Sequence, residues 1–209
     1  MPVWISNSAF AEILSAYHQR FHQVVFDFDL SGRKINIIEE GVDLALRVAF
    51  TLDEGLIARR LGEVTFQMVA SPIFLNNVGR PKKITDLTNA PMLAYSHVAA
   101  DGRIKFGGKN GEDVKLRPVM VSDNETILHL AAIAGMGFAI LPNWAVQNDL
   151  ADGKLKLVLP QVKWPTLKIQ AIYADRSYLP AKVRTFLDFL AGPEGLTPAL
   201  RQVDKPKKP

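Results

Sequence analysis

Histidines 18, 22, 97 and 129 are the side chains here best suited to proton transfer or metal binding. His18 and His22 lie four apart, which on a helix puts both imidazoles on one face at metal-ligand spacing. Between them stands Gln19-Arg20-Phe21, without the glutamate of a zinc-protease helix, and no third ligand is marked. The pair reads as solvated. His97 follows an apolar run, where pockets form, and His129 belongs to the outside or packing face of a helix. Cysteine is absent, which excludes disulfides, cysteine-bound zinc, iron–sulfur clusters and a thiol nucleophile. Gly135-Met136-Gly137 begins like a dinucleotide loop, but Ile140 occupies the third glycine's place and the segment runs from helix to strand, the reverse of the required order. Gly107-Gly108-Lys109 lacks a phosphate loop's first glycine and has Asn110 where Ser or Thr is needed. No Gly-x-Ser-x-Gly elbow occurs. These residues nominate no catalytic group, metal or cofactor.

A different set stands out: small polar residues where strands end and helices begin. Ser6, Asn7 and Ser8 precede the first helix; Tyr95, Ser96 and His97 follow a strand; Ser122 and Asn124 head another helix. In α/β sheets, strand C-termini and helix N-termini face one crevice, where hydroxyls and amides hydrogen-bond a ligand without transforming it. Each also serves as a cap for its own helix, and a cap and a pocket wall can be the same residue.

The elements that would hold this set follow from periodicity. Val3–Ser6 is expected as a short strand, Ala9–Phe21 as a helix with Phe10, Ile13, Leu14, Tyr17 and Phe21 on one face, and Val24–Leu30 as an alternating strand. In Arg33–Val48, Ile35, Ile37 and Ile38 lie on a short helix, Gly41 fits its left-handed end, and Asp43–Val48 is a compact apolar strand of parallel-sheet type. Ile57–Leu61 and Val64–Ala70 read as two strands, Pro72–Asn77 and Ile84–Leu87 as short helices, and Met92–Tyr95 as a strand. Asn110-Gly111 signals a hairpin turn. After the strand Pro118–Ser122, Ser122-Asp-Asn-Glu125 matches a capping box opening a helix that stops at Gly135. Strands at Phe138–Leu141, Leu155–Leu159 and Leu167–Ala174 alternate with helices opened by Pro142 and Pro180. The alternation implies α/β architecture with largely parallel sheets, and the texture changes at Ala70–Pro72 and Tyr173–Arg176 suggest passage between two subdomains and return.

The 209 residues suffice for one large domain or two small ones, and 48% apolar with 22% charged residues is ordinary for a globular chain. Of the net charge of +4, residues 201–209 supply +3 (four basic residues less Asp204), so the body, at +1, has no evident phosphate-binding face. The start carries no secretory signal and no window reaches the length of a membrane span; a cytoplasmic protein is expected.

Several stretches together resemble the effector-binding domain of LysR-type transcriptional regulators: Glu39-Glu-Gly-Val-Asp-Leu-Ala-Leu-Arg47, Leu56-Ile-Ala-Arg-Arg-Leu61, Val69-Ala-Ser-Pro-Ile-Phe-Leu75 with Gly79-Arg-Pro81, Ala134-Gly-Met-Gly-Phe-Ala-Ile-Leu-Pro142, and Leu179-Pro-Ala-Lys-Val-Arg-Thr-Phe-Leu-Asp-Phe-Leu190. Each is weak alone, but their order and spacing are specific over about residues 9–191. The resemblance implies a periplasmic-binding-protein-like (type 2) fold: two Rossmann-like subdomains joined by two crossover strands, here 1–70 plus 175–200 and 71–174, with 201–209 a disordered basic tail. It implies an inter-lobe effector pocket from Trp4, Ser6, Asn7 and Ser8, from Tyr95, Ser96 and His97, and from Ser122, Asn124 and Thr126. Two registers are open at the N-terminus: Met1 falling just after the family's first strand, with Trp4 in the pocket, or Val3–Ser6 being that strand. The second is preferred because it keeps the sheet complete. The implied partners are a small anionic or aromatic metabolite and a second copy, as homodimer or tetramer, with DNA bound only through a winged helix-turn-helix that these residues do not contain. The expected function is sensing without catalysis and without a cofactor. A transporter's solute-binding protein and a small-molecule enzyme on the same fold are the alternatives.

Overall fold

The computed structural model describes residues 1–31, 36–48, 54–96, 102–106, 112–164, 166–174 and 179–203. The chain forms two compact units, Met1–Val64 with Thr166–Pro209, and Thr65–Pro165. It passes from the first to the second inside one long strand, β2 (Leu56–Ala70), and returns at the head of β9 (Thr166–Ala174). The limits read from the sequence, 70 and 175, sit at the far ends of these same two strands.

In the first unit, α1 (Ser8–Arg20) buries Phe10, Ile13 and Tyr17, the face expected from the apolar spacing. Tyr17 sits in an aromatic nest with Phe21, Phe26, Phe186 and Phe189, ring centroids 4.7–5.8 Å away. Its hydroxyl meets Thr185 Oγ1 at 2.8 Å, tying α1 to α5 (Ala181–Ala191). Strand β1 (Ala45–Val48) pairs antiparallel with β9, Ala45 opposite Ile172, so the parallel pairing expected of it is not the one formed. Gly41 takes φ +66 at the end of the preceding turn, the left-handed geometry a glycine adopts without steric cost. Residues 32–35, including Ile35, lie outside the described residues.

The second unit stacks helices on both faces of a mixed sheet. β3 (Pro91–Tyr95) runs parallel to both β6 (Arg117–Ser122) and β7 (Phe138–Pro142), and β2 runs antiparallel to β7 and to the two-residue β8 (Lys156–Leu157). Side chains alternate faces as the pleat requires. Met68, Met92, Ala94 and Phe138 face α2 (Pro72–Val78), while Val69, Leu93, Ala139 and Leu141 face α3 (Glu125–Ile133) and α4 (Asn143–Ala151). Trp144 is buried at the start of α4. A separate hairpin pairs β4 (Arg103–Phe106) with β5 (Glu112–Lys115); its Asn110-Gly111 turn lies outside the described residues.

Several expectations are corrected. Val3–Ile5 is a 3-10 turn, not a strand: Ile5 and Ser6 donate to the carbonyls of Pro2 and Val3, and adjacent Trp4 and Ile5 are both buried, which strand alternation forbids. Val24–Leu30 forms no strand either. Its Phe26 and Phe28 rings stack on each other, Val25 and Leu30 are exposed, and one bridge remains, Met1 N to Asp29 O (2.6 Å) with Ser31 N to Met1 O (3.1 Å). The two losses are one event, because alternation makes a ladder only where a partner strand lies alongside. Because Val3–Ile5 is no strand, the register preferred above is not the one formed, and the bridge instead sets Met1 beside Asp29 and Ser31. Ile57–Leu61 and Val64–Ala70 are a single strand, and the expected Leu155–Leu159 shrinks to β8 because Leu159, at φ +52 before Pro160, turns the chain away. The sheet is mixed rather than largely parallel. The expected tail begins inside a helix, α6 (Leu196–Val203).

Gly135 and Gly137 now have structural reasons. Gly135 ends α3 at φ +85, and a Cβ on Gly137 would lie 2.9 Å from the carbonyl oxygen of Pro91, where β7 enters beside β3.

Candidate functional site

The expected ligand residues fall in two groups, one per unit. In the first, the 3-10 turn buries Trp4, and Ser6 closes the turn by donating its hydroxyl to the Val3 carbonyl. Asn7 caps α1: its Oδ1 accepts from Phe10 N at 3.1 Å. Ser6 and Ser8 are exposed. All but Trp4 thus present polar atoms at the start of α1, the end a helix leaves rich in unsatisfied N–H groups.

In the second unit the expected residues that are described lie at strand ends and at a helix start. Tyr95 ends β3 and Ser122 ends β6; the strands are parallel and these two residues are register partners. Ser96 follows, half-buried, while His97 lies outside the described residues. The chain turns from Ser122 into α3, but the cap is Asn124 and not Ser122. Asn124 Oδ1 accepts from Thr126 N at 2.9 Å and Ile127 N at 3.4 Å, and Ser122 Oγ accepts from Asn124 N at 3.0 Å. Ser122 therefore supports the cap from two residues upstream, and Thr126 lies exposed on the first turn.

Glu125, expected to reach back in a capping box, is instead buried and paired with Tyr95. The phenol donates to the carboxylate. Tyr95 is pushed up from 10.0 to about 12, first by burial, then by the negative charge and hydrogen bond of Glu125, and least by Asp123. Sequence reading missed this pair, because a first-turn carboxylate is equally at home in solvent or in a capping box. Only the register of Tyr95 with Ser122 brings the phenol to it.

Among the described residues the histidines form no centre. His22 Nδ1 lies 3.0 Å from the carbonyl of His18, and His129 Nε2 lies 2.9 Å from Asp149 of α4. Among the described residues no three His, Cys, Asp or Glu side chains are grouped to hold a metal. Among them too, no helix is long and apolar enough to cross a membrane.

Residues 1–192 match the LysR substrate binding domain family. The chain belongs to that family. Its fold is accordingly the periplasmic-binding-protein-like type 2 fold. The regulator CrgA of Neisseria meningitidis serogroup C is 30% identical over 181 residues, covering 86% of this chain and 60% of the relative. DmlR of Escherichia coli K12 is 32% identical over 182 residues, covering 86% and 59%. The solved structure of the CrgA regulatory domain, a LysR-type transcriptional regulator from Neisseria meningitidis, superposes with a TM-score of 0.77 at 28% identity, over 87% of this chain and 89% of that one. The LysR-family chain thus spans about 60% of the length of the curated relatives it matches.

Proposed function

We propose that this LysR-family chain is the sensing part of a DNA-binding transcriptional regulator, capturing a small metabolite without transforming it. The observation that carries the reading is the cluster at the carboxyl edge of the parallel β3–β6 pair. There Tyr95, Ser122 and Asn124 stand together at the start of α3, where open α/β sheets take their ligands. In the other unit, Ser6, Asn7 and Ser8 supply a polar group at the start of α1. Asp123 and Glu125 beside Tyr95 make the β3–β6 edge acidic, so a metabolite's hydroxyl, amide or aromatic group fits there better than its carboxylate. DNA recognition belongs to a helix-turn-helix of the kind in the relatives' names, and the working compartment is the cytoplasm.

The regulator would act as a pair of chains. Exposed apolar side chains in each unit support a second copy as partner: Val25, Phe28 and Leu30 in the first, and Ile127 and Leu130, three apart on α3, in the second. An effector shifts such an assembly only by as much as it prefers one arrangement of the units over another.

A thermal-shift screen of metabolites tests the sensing role. Hits are expected to lose affinity about tenfold or more in Ser96→Ala and Asn124→Ala, the loss that about 1.4 kcal/mol of lost hydrogen bonding produces. Unchanged affinity in both variants removes these residues from the pocket, and turnover of a hit makes the chain an enzyme instead.

A further inference from the structure

The family match ends at residue 192, and the described chain continues through α6. This helix is docked on the first unit. Leu196 and Leu200 are buried, and the Thr197 hydroxyl donates to the carbonyl of Leu61 in β2. Gly62, beside Leu61, leaves the space that Leu200 fills: a Cβ there would lie 2.8 Å from Leu200 Cδ1. The turn into α6 needs Gly195, where a Cβ would meet the carbonyl oxygens of Phe189 and Leu190 at 2.1 and 2.4 Å. Arg20 at the end of α1 grips that turn through both oxygens of Glu194, at 2.7 and 2.8 Å, with its guanidinium 5.4 Å from the Phe189 ring centre.

What α6 holds is the strand that leaves the unit. Leu61 and Gly62 precede Val64, the last residue of the first unit within β2. The turn that leads into α6 borders an open hollow of about 310 Å³, lined by Gly192, Pro193 and Glu194 of the turn together with Arg20, Phe21 and Phe189. The Arg20–Glu194 pair is half exposed, a setting in which ion pairs hold weakly.

We propose that α6 is an intramolecular clamp on the crossover strand. Docked, it fixes β2 at the residues from which the chain departs for the second unit. Undocked, it frees that stretch and widens the range of arrangements the two units sample.

The absence of cysteine makes the test clean, since Glu12→Cys and Asn148→Cys give one exposed spin-label site in each unit of the full chain. Distances between the labels are measured alongside amide exchange, in the parent and with Thr197→Ala and Leu200→Ala combined. A second version ends after Gly195 and removes the helix outright. Exchange at residues 61–64 is expected to accelerate by about tenfold or more as the local opening free energy falls, and the inter-label distribution is expected to broaden. An undocked or removed α6 with unchanged protection at 61–64 and an unchanged distribution overturns the clamp.

Discussion

Tyr95 keeps its phenolic proton first because burial penalises the phenolate, and then because losing the proton would place a second negative charge beside buried Glu125. The folded chain therefore binds this proton more tightly than the unfolded one. The resulting stabilisation is complete below pH 10.0 and is lost as pH rises towards about 12. Urea midpoints of the parent are expected to fall across that window more steeply than those of Tyr95→Phe. Glu125→Gln should bring the tyrosine's titration part of the way back, since burial, the larger cause, remains; ultraviolet difference titration reads this directly. Asn124→Ala removes the acceptor for Thr126 N and Ile127 N and is expected to cost about 1 kcal/mol in chemical denaturation. The corresponding Ser122→Ala should cost less, since its hydroxyl serves only the Asn124 amide. The polar residues of the second unit were legible at strand ends because their types and positions follow from chain direction. Which of Ser122 and Asn124 caps was not, since both have the right chemistry and only the turn angle chooses between them.

At the scale of elements, helices α1 to α5 were legible, while α6, the turn at 37–41 expected as a helix, and the N-terminal strands were not. α1, α3 and α5 carry apolar faces whose period belongs to one chain segment, so sequence contains all the information. A strand is half of a pair. Val24–Leu30 has the alternation and lacks the partner, whereas β1 has a partner whose direction, antiparallel, its own residues could not declare. β2 merged from two expected strands because Gly62 and Glu63 looked like an interruption, while Gly62 is small to admit Leu200. The α1–α5 contact offers a measurement of what packing contributes beyond pattern. Tyr17→Phe, which loses only the hydroxyl's bonds to Thr185 Oγ1 and the Lys182 carbonyl, is expected to cost about 1 kcal/mol. Tyr17→Ala, which also empties the nest of four phenylalanine rings, is expected to cost about 3–5 kcal/mol. Equal costs would mean that the nest collapses without loss.

For the whole molecule, the proposed pairing predicts a separation of assembly from stability. Leu130→Arg on the exposed face of α3 should leave the melting temperature within about 2 °C of the parent, since surface changes are usually within about 0.5 kcal/mol. Sedimentation of the same variant should shift from dimer towards monomer. A parent that sediments as a monomer at all concentrations excludes the pairing. The tryptophans give the two units different voices. Buried Trp4 stands in the first, while Trp144 and Trp164 stand in the second. Exciting indole emission in Trp4→Phe listens to the second unit alone, and the difference from the parent isolates the first. A single denaturant titration then reveals whether the two units of this chain melt in step or in turn.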